Sequence, residues 1–291
     1  MRTRDGLTCI EENAIFFVES SDSRQLTARQ ACAIESAARH HPDRQVRVLM
    51  TSPDPLKRKD NFTGPLELLE NVRLFRVDFG HLMFDTPLWY WYIRGKWKTS
   101  PFKVLHISDA LRLCIIWRYG GLYLDLDVVV LQSLSNLRNT TTTDNGKNVA
   151  TALLAFDPGH PLLQNTIRDY ASHYAPKEFA KNGPLLLNKN FKKMCGVTKV
   201  DEVRLSSVWK CDVNVLPMEA AYPIPYKRWV EYFKPQATPN ESAFNSSVVI
   251  HVWNKLSNGG RVVIGQNSLY EMAMKHHCPT TYEYATNLGF V

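Results

Sequence analysis

The sequence lacks several features that would assign it to a special class of protein. Its 291 residues contain no internal repeat, no low-complexity linker and no run of about 18 apolar residues, the length that a membrane-spanning helix needs. The opening MRTRDGLTC has no apolar core of the kind found in signal peptides. Apolar residues make up 44 % and charged residues 22 %, which excludes a mainly disordered or collagen-like chain. The composition predicts a folded protein with a sizeable core, and one domain is favoured.

A strong excess of one charge is also missing. Lys and Arg number 35 against 28 for Asp and Glu, so the net charge is +7. The excess is scattered in short clusters such as Lys57, Arg58 and Lys59, which are typical of a solvated face. A diffuse positive field favours anionic ligands, and charge alone leaves phosphates, acidic glycans and nucleic acid open.

The six cysteines have no CxxC spacing, so a zinc site is not indicated and an oxidising compartment is compatible with the sequence. Their positions predict two disulfides, Cys195 with Cys211 and Cys9 with Cys32. Cys114 lies in an apolar helical run and is expected to be an unpaired thiol in the core.

Four segments fit the N-glycosylation pattern and favour exposure to a secretory lumen. They begin at Asn61, Asn139, Asn240 and Asn245. This indication conflicts with the missing signal peptide. Either the chain is the lumenal portion of a longer protein, or the sequons are accidental.

The first half predicts a β-α-β start. Asn13–Ser20 is an apolar run that ends in polar residues, a helical pattern follows and stops at Pro42, and Gln45–Met50 alternates as a strand. Asn71–Asp78 is a further predicted strand. The aromatic segment TPLWYWYIRGKWK follows, and core packing is favoured for it over a flat platform for a sugar or base.

The second half predicts a strand and turn in VATALLAFDPGHPLL, a helix near residues 162–174 and a last helix near residues 268–276.

The stretch SDALRLCIIWRYGGLYLDLDVVVL joins a predicted helix to a predicted strand. Ser108 is a suitable N-cap, and Gly120 and Gly121 end the apolar helical stripe. LYLDLDVVVL then fits one strand, in which Asp125 and Asp127 point to the same side about 6 to 7 Å apart.

Two carboxylates in a half-buried strand need a positive partner, because desolvation and repulsion both disfavour their charged forms. A divalent cation such as Mg²⁺ or Mn²⁺ is one partner, and an arginine or access to solvent is the alternative. Asp109 and Arg112 are spaced i, i+3 on the preceding helix. They form either a surface ion pair or a clamp for ligand hydroxyl groups.

Two enzyme classes place such an aspartate pair after an apolar strand. DLDVV matches the DxDx[TV] nucleophile motif of haloacid-dehalogenase phosphatases, but it lies in the middle of the chain and no Asp-Asp pair occurs anywhere. The phosphatase is therefore the second choice. The first is a sugar-nucleotide transferase, in which a D-x-D holds a metal against a diphosphate leaving group.

The full string resembles the pattern S-D-x-x-R, helix, G-G-x-Y-x-D-x-D of glycosyltransferases with a DXD-containing sugar-binding region. The resemblance narrows to the α1,4-glycosyltransferases, the family of globotriaosylceramide synthase and α1,4-N-acetylglucosaminyltransferase. FFVESSD, FDTPLWYWY, NGPLLL, HVWNK and HCPTTYE are similar to segments of that family, in order, from Ala14 to Glu283.

The resemblance implies an α/β chain with the GT-A fold, in which a mixed, Rossmann-like central sheet is flanked by helices. It implies a single catalytic domain over residues 1–291, with the DXD region at about 70–165 and the α1,4-glycosyltransferase region at about 166–288.

The resemblance also implies the roles of individual residues. The metal, Mn²⁺ or Mg²⁺, is expected on Asp125, Asp127 and His251. The donor sugar and nucleotide are expected on Asp109, Arg112, Tyr123, Asp125, Gly183, Trp253 and Lys255. No carboxylate is nominated as a nucleophile, so same-face attack assisted by the leaving phosphate is the expected route to retention.

The implied reaction moves galactose or an N-acetylhexosamine from a UDP-sugar, in α1,4 linkage with retention, to a galactose-ended glycolipid such as lactosylceramide. UDP-galactose, UDP-N-acetylgalactosamine and UDP-N-acetylglucosamine stay open as donors, and no nucleic-acid partner is expected. The implied location is the Golgi lumen, on a type II membrane protein whose anchor is not in this sequence.

One departure from the family pattern leaves an alternative open. The segment before LLAF is expected to carry Asn-Gly, and here it reads Ala150-Thr151. A folded homologue that binds UDP-sugar but has weakened or lost transfer is therefore the second interpretation.

Overall fold

The structure is a computed structural model that describes residues 13–54, 62–204, 211–238, 240, 242–257, 260–289 and 291. The strands in these residues are β1 (Ile15–Glu19), β2 (Val46–Met50), β3 (Val72–Arg76), β4 (Gly121–Leu124), β5 (Val128–Val130), β6 (Thr140–Thr143), β7 (Val149–Phe156), β8 (Asn214–Leu216) and β9 (Val249–His251).

The α-helices in the same residues are α1 (Ala28–His40), α2 (Thr63–Leu66), α3 (Phe79–Met83), α4 (Trp89–Arg94), α5 (Lys103–Tyr119), α6 (Pro161–His173), α7 (Pro184–Cys195), α8 (Asp201–Arg204), α9 (Met218–Ala221), α10 (Asn254–Ser257), α11 (Leu269–His277) and α12 (Pro279–Thr286). Two 3-10 helices cover Lys96–Thr99 and Tyr226–Tyr232.

Seven strands form one mixed sheet in the order β3-β2-β1-β4-β7-β6-β8. The pairs from β3 to β4 are parallel, β7 is antiparallel to both β4 and β6, and β6 and β8 are parallel. The two remaining strands, β5 and β9, form a separate antiparallel pair. A mixed central sheet flanked by helices is the architecture that the sequence predicted.

The β-α-β start is confirmed. Helix α1 begins after Thr27, whose side chain accepts a hydrogen bond from the Gln30 N–H while the Gln30 side chain caps in return. Strand β1 is buried on both faces of the sheet, because Phe16 packs into one apolar cluster and Phe17 into the other. A continuous apolar run is what such a parallel central strand requires.

The aromatic segment around α4 packs mainly on the core, as predicted. Trp91 is buried edge-to-face against Tyr170 and Tyr174, and Trp97 stacks on Tyr92. The two Trp91 contacts, at centroid separations of 5.2 and 5.4 Å, fix the position of α4 against α6 and the residue that follows it.

The predicted start of the long helix is wrong, whereas its end is confirmed. Helix α5 begins at Lys103, so Ser108 lies inside it rather than at its N-cap. The helix ends at Gly120 (φ +66°), and Gly121 (φ +89°) follows. A Cβ on Gly121 would collide with the carbonyl of Ala14, the residue before β1, so the close approach of the two chain segments requires glycine there.

One of the two predicted disulfides is confirmed and the other is wrong. Cys195 is bonded to Cys211, but Cys32 is bonded to Cys278, so α1 is joined to the residue before α12. Cys114 is a buried free thiol, as predicted. Cys9, the predicted partner of Cys32, lies outside the described residues.

Two further predictions need correction. The chain continues past the predicted last helix into α12. Asn139 is only 2 % exposed, its amide donates to Asp212 and its side-chain oxygen accepts from the Asp157 N–H, so this sequon offers no free amide in the folded protein. Asn240 and Asn245 are exposed, and Asn61 lies outside the described residues.

Within the described part of the chain, the helices are too short or too polar to cross a membrane.

Candidate active site

The two aspartates lie in a turn, not in a strand as the apolar alternation predicted. Strand β4 ends at Leu124, and the Val128 N–H donates to the Asp125 carbonyl at 3.0 Å before β5 begins. The turn moves the chain from the seven-stranded sheet to the two-stranded one. Both carboxylates therefore lie where the two sheets meet.

Strand β9 brings His251 to this turn. It pairs antiparallel with β5 in a register that sets His251 opposite Val128, next to Asp127. The Val252 N–H extends the pairing by donating to the Asp127 carbonyl at 3.0 Å. Two residues that lie more than a hundred positions apart in the chain become neighbours through a three-residue ladder.

Asp125, Asp127 and His251 are the one group of three or more potential ligands found in the described residues, with one donor atom of each lying within 4.8 Å of the others. His251 Nε2 lies 3.2 Å from Asp127 Oδ1. The two carboxylates suit Mn²⁺ or Mg²⁺, which also accept substrate oxygens, and the imidazole is a common ligand of divalent transition metals. The arrangement fits a divalent cation.

The opposite charges of Asp127 and His251 shift the pKa of each residue. Burial disfavours the charged form of the Asp127 carboxyl, but the nearby His251 and a 2.8 Å hydrogen bond from the Asn254 N–H outweigh it, so the pKa of Asp127 lies below its ordinary value. Burial lowers the pKa of His251, but Asp127 outweighs it and the pKa lies above the ordinary value.

Asp125 pairs with Arg112, the alternative partner that the sequence left open. Arg112 Nη1 lies 2.8 Å from Asp125 Oδ1, and the Tyr123 hydroxyl donates to the same oxygen at 2.7 Å. The guanidinium also lies over the Tyr123 ring, 4.9 Å from its centroid. The guanidinium donates from Nη2 to Ser108 Oγ at 2.8 Å and from Nη1 to the Thr151 carbonyl at 3.2 Å. These contacts fix the orientation of the Asp125 carboxylate.

Asp109 lies one helical turn from Arg112, with Oδ1 at 3.6 Å from its Nε. Its carboxyl is buried, and Oδ2 has no hydrogen-bond partner among the described residues. Burial raises the pKa of Asp109 to about 7, although Arg112 opposes the shift. A Cβ on Gly183, which precedes α7, would collide with the carboxyl group. Because Oδ2 is buried without a hydrogen-bond partner and Asp109 lines a cavity, this oxygen is available to a ligand hydroxyl.

Trp253 stands beside the cluster in a left-handed backbone conformation, with φ at +58°. This conformation is rare for a bulky residue, and such residues concentrate at functional sites. The indole meets the His251 ring edge-to-face at 4.3 Å, stacks on Tyr222 at 5.2 Å and donates to the Ile224 carbonyl at 2.9 Å. The turn at Trp253 aims the Asn254 N–H at Asp127.

Lys255 lies in α10, with its ammonium close to the rings of Phe179 and Phe102. Its ammonium lies 3.1 Å from the centroid of the Phe179 ring, and the Phe102 ring packs edge-to-face on Phe179. Partial burial lowers the pKa of Lys255. The Lys255 ammonium therefore lies against aromatic rings, and from there it can reach an anionic ligand in the cavity.

One cavity of about 470 Å³ brings most of the predicted residues together. Asp109, Arg112, Asp125, Asp127, His251, Trp253 and Lys255 line it, and Tyr123 and Gly183 support it through Asp125 and Asp109. Sequence reasoning missed other residues of its lining: Leu105, Asp144, Asn145, Asn148, Phe179 and Tyr222. The polar cluster TTTTDNGKN was the available signal for three of them, because an Asp- and Asn-rich loop between strands is a common ligand site.

Ala150 and Thr151, the residues that depart from the family pattern, lie in β7 and line the cavity. Thr151 offers both its carbonyl and, at 3.4 Å, its hydroxyl oxygen to Arg112 Nη1. Thr151, one of the two residues that differ from the family pattern, therefore contacts the guanidinium that pairs with Asp125.

Two family models match the chain in tandem. Residues 27–144 match the glycosyltransferase sugar-binding region containing the DXD motif, and residues 155–285 match the α1,4-glycosyltransferase conserved region.

Curated relatives match over nearly the whole chain. The lactosylceramide 4-α-galactosyltransferase of Rattus norvegicus is 36 % identical over 94 % of this chain and 76 % of the relative, and that of Homo sapiens is 36 % identical over 92 % and 76 %. The α1,4-N-acetylglucosaminyltransferase of Homo sapiens is 32 % identical over 97 % of this chain and 84 % of the relative. Among solved structures, the PaToxG glycosyltransferase matches with a TM-score of 0.50 and 17 % identity over 62 % of this chain and 69 % of that one, which is a likeness of fold.

Proposed function

Because the chain belongs to the α1,4-glycosyltransferase family, we propose that it transfers a hexose from a UDP-sugar in α1,4 linkage, with retention, to a galactose-ended glycolipid. The observation that carries the proposal is the cavity in which the Asp125, Asp127 and His251 cluster adjoins the buried Asp109 carboxyl. The cluster with a bound cation suits a charged leaving group, and the Asp109 carboxyl suits the hydroxyl groups of a neutral sugar.

The chain's own residues divide the work of donor binding. Asp127 and His251, with Asp125, would hold the divalent cation, for which Mn²⁺ is the proposed identity. Lys255 would contact the diphosphate, and Trp253 would form a wall beside it. A divalent cation bound there supplies positive charge that stabilises the diphosphate as it leaves.

Asp109 and Arg112 would bind the donor sugar. The unpartnered Asp109 oxygen can accept from a sugar hydroxyl, and Arg112 keeps Asp109 and Asp125 in place. Because Gly183 has no side chain, the backbone before α7 approaches the same carboxyl closely.

In the proposed reaction, the bond between the anomeric carbon and the β-phosphate oxygen breaks. The acceptor 4-hydroxyl oxygen bonds to the same face of that carbon, and its proton passes to the leaving phosphate oxygen, so UDP and the new glycoside are the products. The rate enhancement comes from charge stabilisation and positioning, without a protein acid. The proposed location is the lumenal side of the Golgi membrane.

Asp127→Asn is the direct test. The variant keeps the shape of the turn but removes a charge from the cluster, and we expect Mn²⁺-dependent UDP release from UDP-galactose with lactose as acceptor to fall by at least about 100-fold. Asp43→Asn, in an exposed turn before β2, is the matched control and should keep full activity. Unchanged turnover in a folded Asp127→Asn protein would refute the metal-dependent transfer.

The second candidate is a homologue that binds UDP-sugar without transferring it. The contact of Thr151 with Arg112 favours it, because a side chain other than the expected glycine occupies the sugar end of the cavity. Calorimetric binding of UDP with no product from any of the three UDP-sugars would support this candidate over the first.

A further inference from the structure

The cavity of the candidate active site has a second polar wall, which the proposed donor contacts do not use. It is the β6–β7 loop, residues 144–148, from which Asp144, Asn145 and Asn148 line the cavity. The other carboxylates of the lining each pair with an arginine or a histidine, and they are Asp109, Asp125 and Asp127. Among the described residues, Asp144 has no such pair and accepts no hydrogen bond from another residue. This half-buried carboxylate is therefore free to accept from a ligand.

Hydrogen bonds inside the β6–β7 loop hold its side chains in place. The Thr143 hydroxyl donates to the Asn148 carbonyl at 2.7 Å and accepts from the Gly146 N–H at 2.9 Å. Asn145 Oδ1 accepts from the N–H groups of Lys147 and Asn148, both at 2.9 Å. The loop is therefore ordered before a ligand arrives, which lowers the entropy cost of binding.

Asn148 adds a hydrogen-bond donor to the acceptor at Asp144. Its side-chain oxygen accepts from Asn188 Nδ2 at 2.9 Å and from Lys192 Nζ at 3.1 Å, both on α7. The amide NH₂ group of Asn148 is then left over, and within the described part of the chain it donates to no other group. A sugar hydroxyl both donates and accepts, so the loop can bind it through either residue.

Apolar side chains from α7 lie beside the same loop. Leu185 lines the cavity and is 52 % exposed. It precedes Asn188 by three positions, so the two share a face of α7, and Asn188 is bonded to Asn148. Ala180 and Pro184 also line the cavity. A few directed polar groups next to an apolar surface suit a sugar ring, which has hydroxyl groups at its edge and C–H groups on its faces.

The β6–β7 loop lies on the part of the metal cluster where an acceptor is needed. Burial raises the pKa of Asp144 above its ordinary value, and the positive charge of nearby His251 opposes the shift. The pKa of Asp109, in contrast, responds to Arg112 and Asp125. The two carboxyls therefore adjoin different members of the cluster, and Asp109 is already proposed for the donor sugar. Same-face attack brings the acceptor hydroxyl next to the leaving phosphate oxygen, and so against the cluster.

We propose that Asp144 and Asn148 bind the terminal galactose of the acceptor, with Leu185 packed on a face of its ring. The choice of a galactose-ended acceptor rests on the proposed function. Asp144 accepts from one hydroxyl of this sugar, and Asn148 donates to one. An acceptor that lacks the hydroxyl leaves the half-buried carboxylate unpaired, so the loop gives the site its acceptor specificity.

Calorimetric binding of methyl β-lactoside to the chain loaded with UDP and Mn²⁺ tests the proposal. Asp144→Asn and Asn148→Asp keep the side-chain shapes, and each should weaken lactoside binding by at least about tenfold. The dissociation constant of UDP should change by less than about twofold in Asp144→Asn, because the donor contacts remain. Lys147→Gln, exposed in the same loop and outside the cavity lining, is the matched control and should bind both ligands like wild type.

Deoxy analogues of the lactoside separate a direct contact from a structural effect. Among lactosides that lack the 2-, 3-, 4- or 6-hydroxyl of galactose, at least one should bind wild type about tenfold more weakly than the parent lactoside does. Asp144→Asn should bind that analogue and the parent within about twofold of each other, because the contact is already lost. A purely structural effect of the substitution would weaken the parent and every analogue alike, and would overturn the assignment.

Binding and transfer fail separately. Wild type that binds UDP and lactoside but forms no product from any of the three UDP-sugars would refute the proposed transfer, while the variants would still decide the role of Asp144. Wild type that binds no lactoside, or Asp144→Asn protein that binds it like wild type, would overturn the inference. A loss of UDP affinity in Asp144→Asn equal to its loss of lactoside affinity would assign Asp144 to the donor instead.

Discussion

Asp125 belongs at once to the metal-ligand cluster and to an ion pair with Arg112, two situations that the sequence presented as alternatives. Arg112 and Tyr123 both bond to Oδ1, so one carboxylate oxygen carries the orienting contacts. The Arg112 side chain is itself fixed by Ser108 and Thr151. An arginine neighbour therefore supports this ligand group by fixing its geometry, as outer hydrogen bonds do in metal sites.

Because Asp109 is buried, we expect the free energy of unfolding of the protein to depend on pH. Its folded-state pKa of about 7 exceeds the ordinary value of 3.8. The folded protein therefore binds the proton more tightly than the unfolded chain, and this contribution to stability is full below about pH 4 and is lost as the pH rises to about 7. In EDTA at about pH 8, Asp109→Asn should raise the free energy of unfolding by about 2 kcal/mol or more, because position 109 then buries no carboxylate charge.

Urea unfolding of wild type and Asp109→Asn at about pH 8 and about pH 4.5 measures the effect, and the difference between them should shrink at the lower pH. Asp43→Asn, on an exposed turn, should change the free energy of unfolding by less than about 0.5 kcal/mol at either pH. A stability gain that is the same at both pH values would contradict the titration of Asp109. We expect the stabilised variant to lose turnover, as happens when a strained site residue is replaced.

Seven of the residues that line the cavity could be predicted, because they lie in strings with a recognisable order. His251 is the clearest case, since nothing in its immediate apolar surroundings distinguishes it from a core histidine. Phe179 could not be found in this way, because it comes from a loop whose path depends on neighbouring elements. At the site, Phe179 contacts Phe102 and Lys255.

At the scale of elements, the turn at Asp125–Asp127 is where sequence reasoning fails. LYLDLDVVVL alternates well enough for one strand, and local pattern carries no information about a change of sheet. The change depends on β9, which pairs with β5 from far along the chain. The start of α5 was wrong for a related reason: Ser108 has the preference of an N-cap, but its hydroxyl is used by Arg112 inside the helix.

We expect removal of each of the two disulfides to lower the free energy of unfolding by a different amount. Cys32–Cys278 closes a separation of 246 residues, and Cys195–Cys211 closes one of 16. By loop-closure entropy, removing the first should cost about 5 kcal/mol and removing the second about 3 kcal/mol. Urea unfolding of Cys32→Ala/Cys278→Ala and Cys195→Ala/Cys211→Ala compares them directly, each double variant serving as the control for the other. Equal losses, or the reverse order, would show that the long bridge does not restrain the unfolded chain.

For the whole molecule, the sequence predicted the class of fold but not the strand order. The parallel half could be inferred from β1, α1 and β2, whose apolar patterns are distinct and close in sequence. The placing of β7 between β4 and β6 could not, because antiparallel and parallel neighbours look alike in a short apolar run. The Cys32–Cys278 bridge was missed because it depends on the packing of α12 against α1, two helices far apart in the sequence.

Metal binding should stabilise the whole molecule, because the proposed ligands join β4, β5 and β9. At a Mn²⁺ concentration about 100 times its dissociation constant, the free energy of unfolding should rise by about 2.7 kcal/mol. His251→Gln should abolish the rise, whereas His276→Gln, an exposed histidine in α11, should keep it. Thermal unfolding with Mn²⁺ and with EDTA measures both variants. A rise that survives in His251→Gln would mean that the ion binds elsewhere.

The pairing of β5 with β9 also has a consequence for synthesis on the ribosome. The first strands and α5 leave the exit tunnel long before His251 is made, and until then β5 has no partner strand and the cluster is incomplete. Metal cannot assist the folding of the nascent N-terminal half through this site. The donor site is therefore among the last parts of the protein to form, and a chain released prematurely before β9 would carry the D-x-D motif without the site it belongs to.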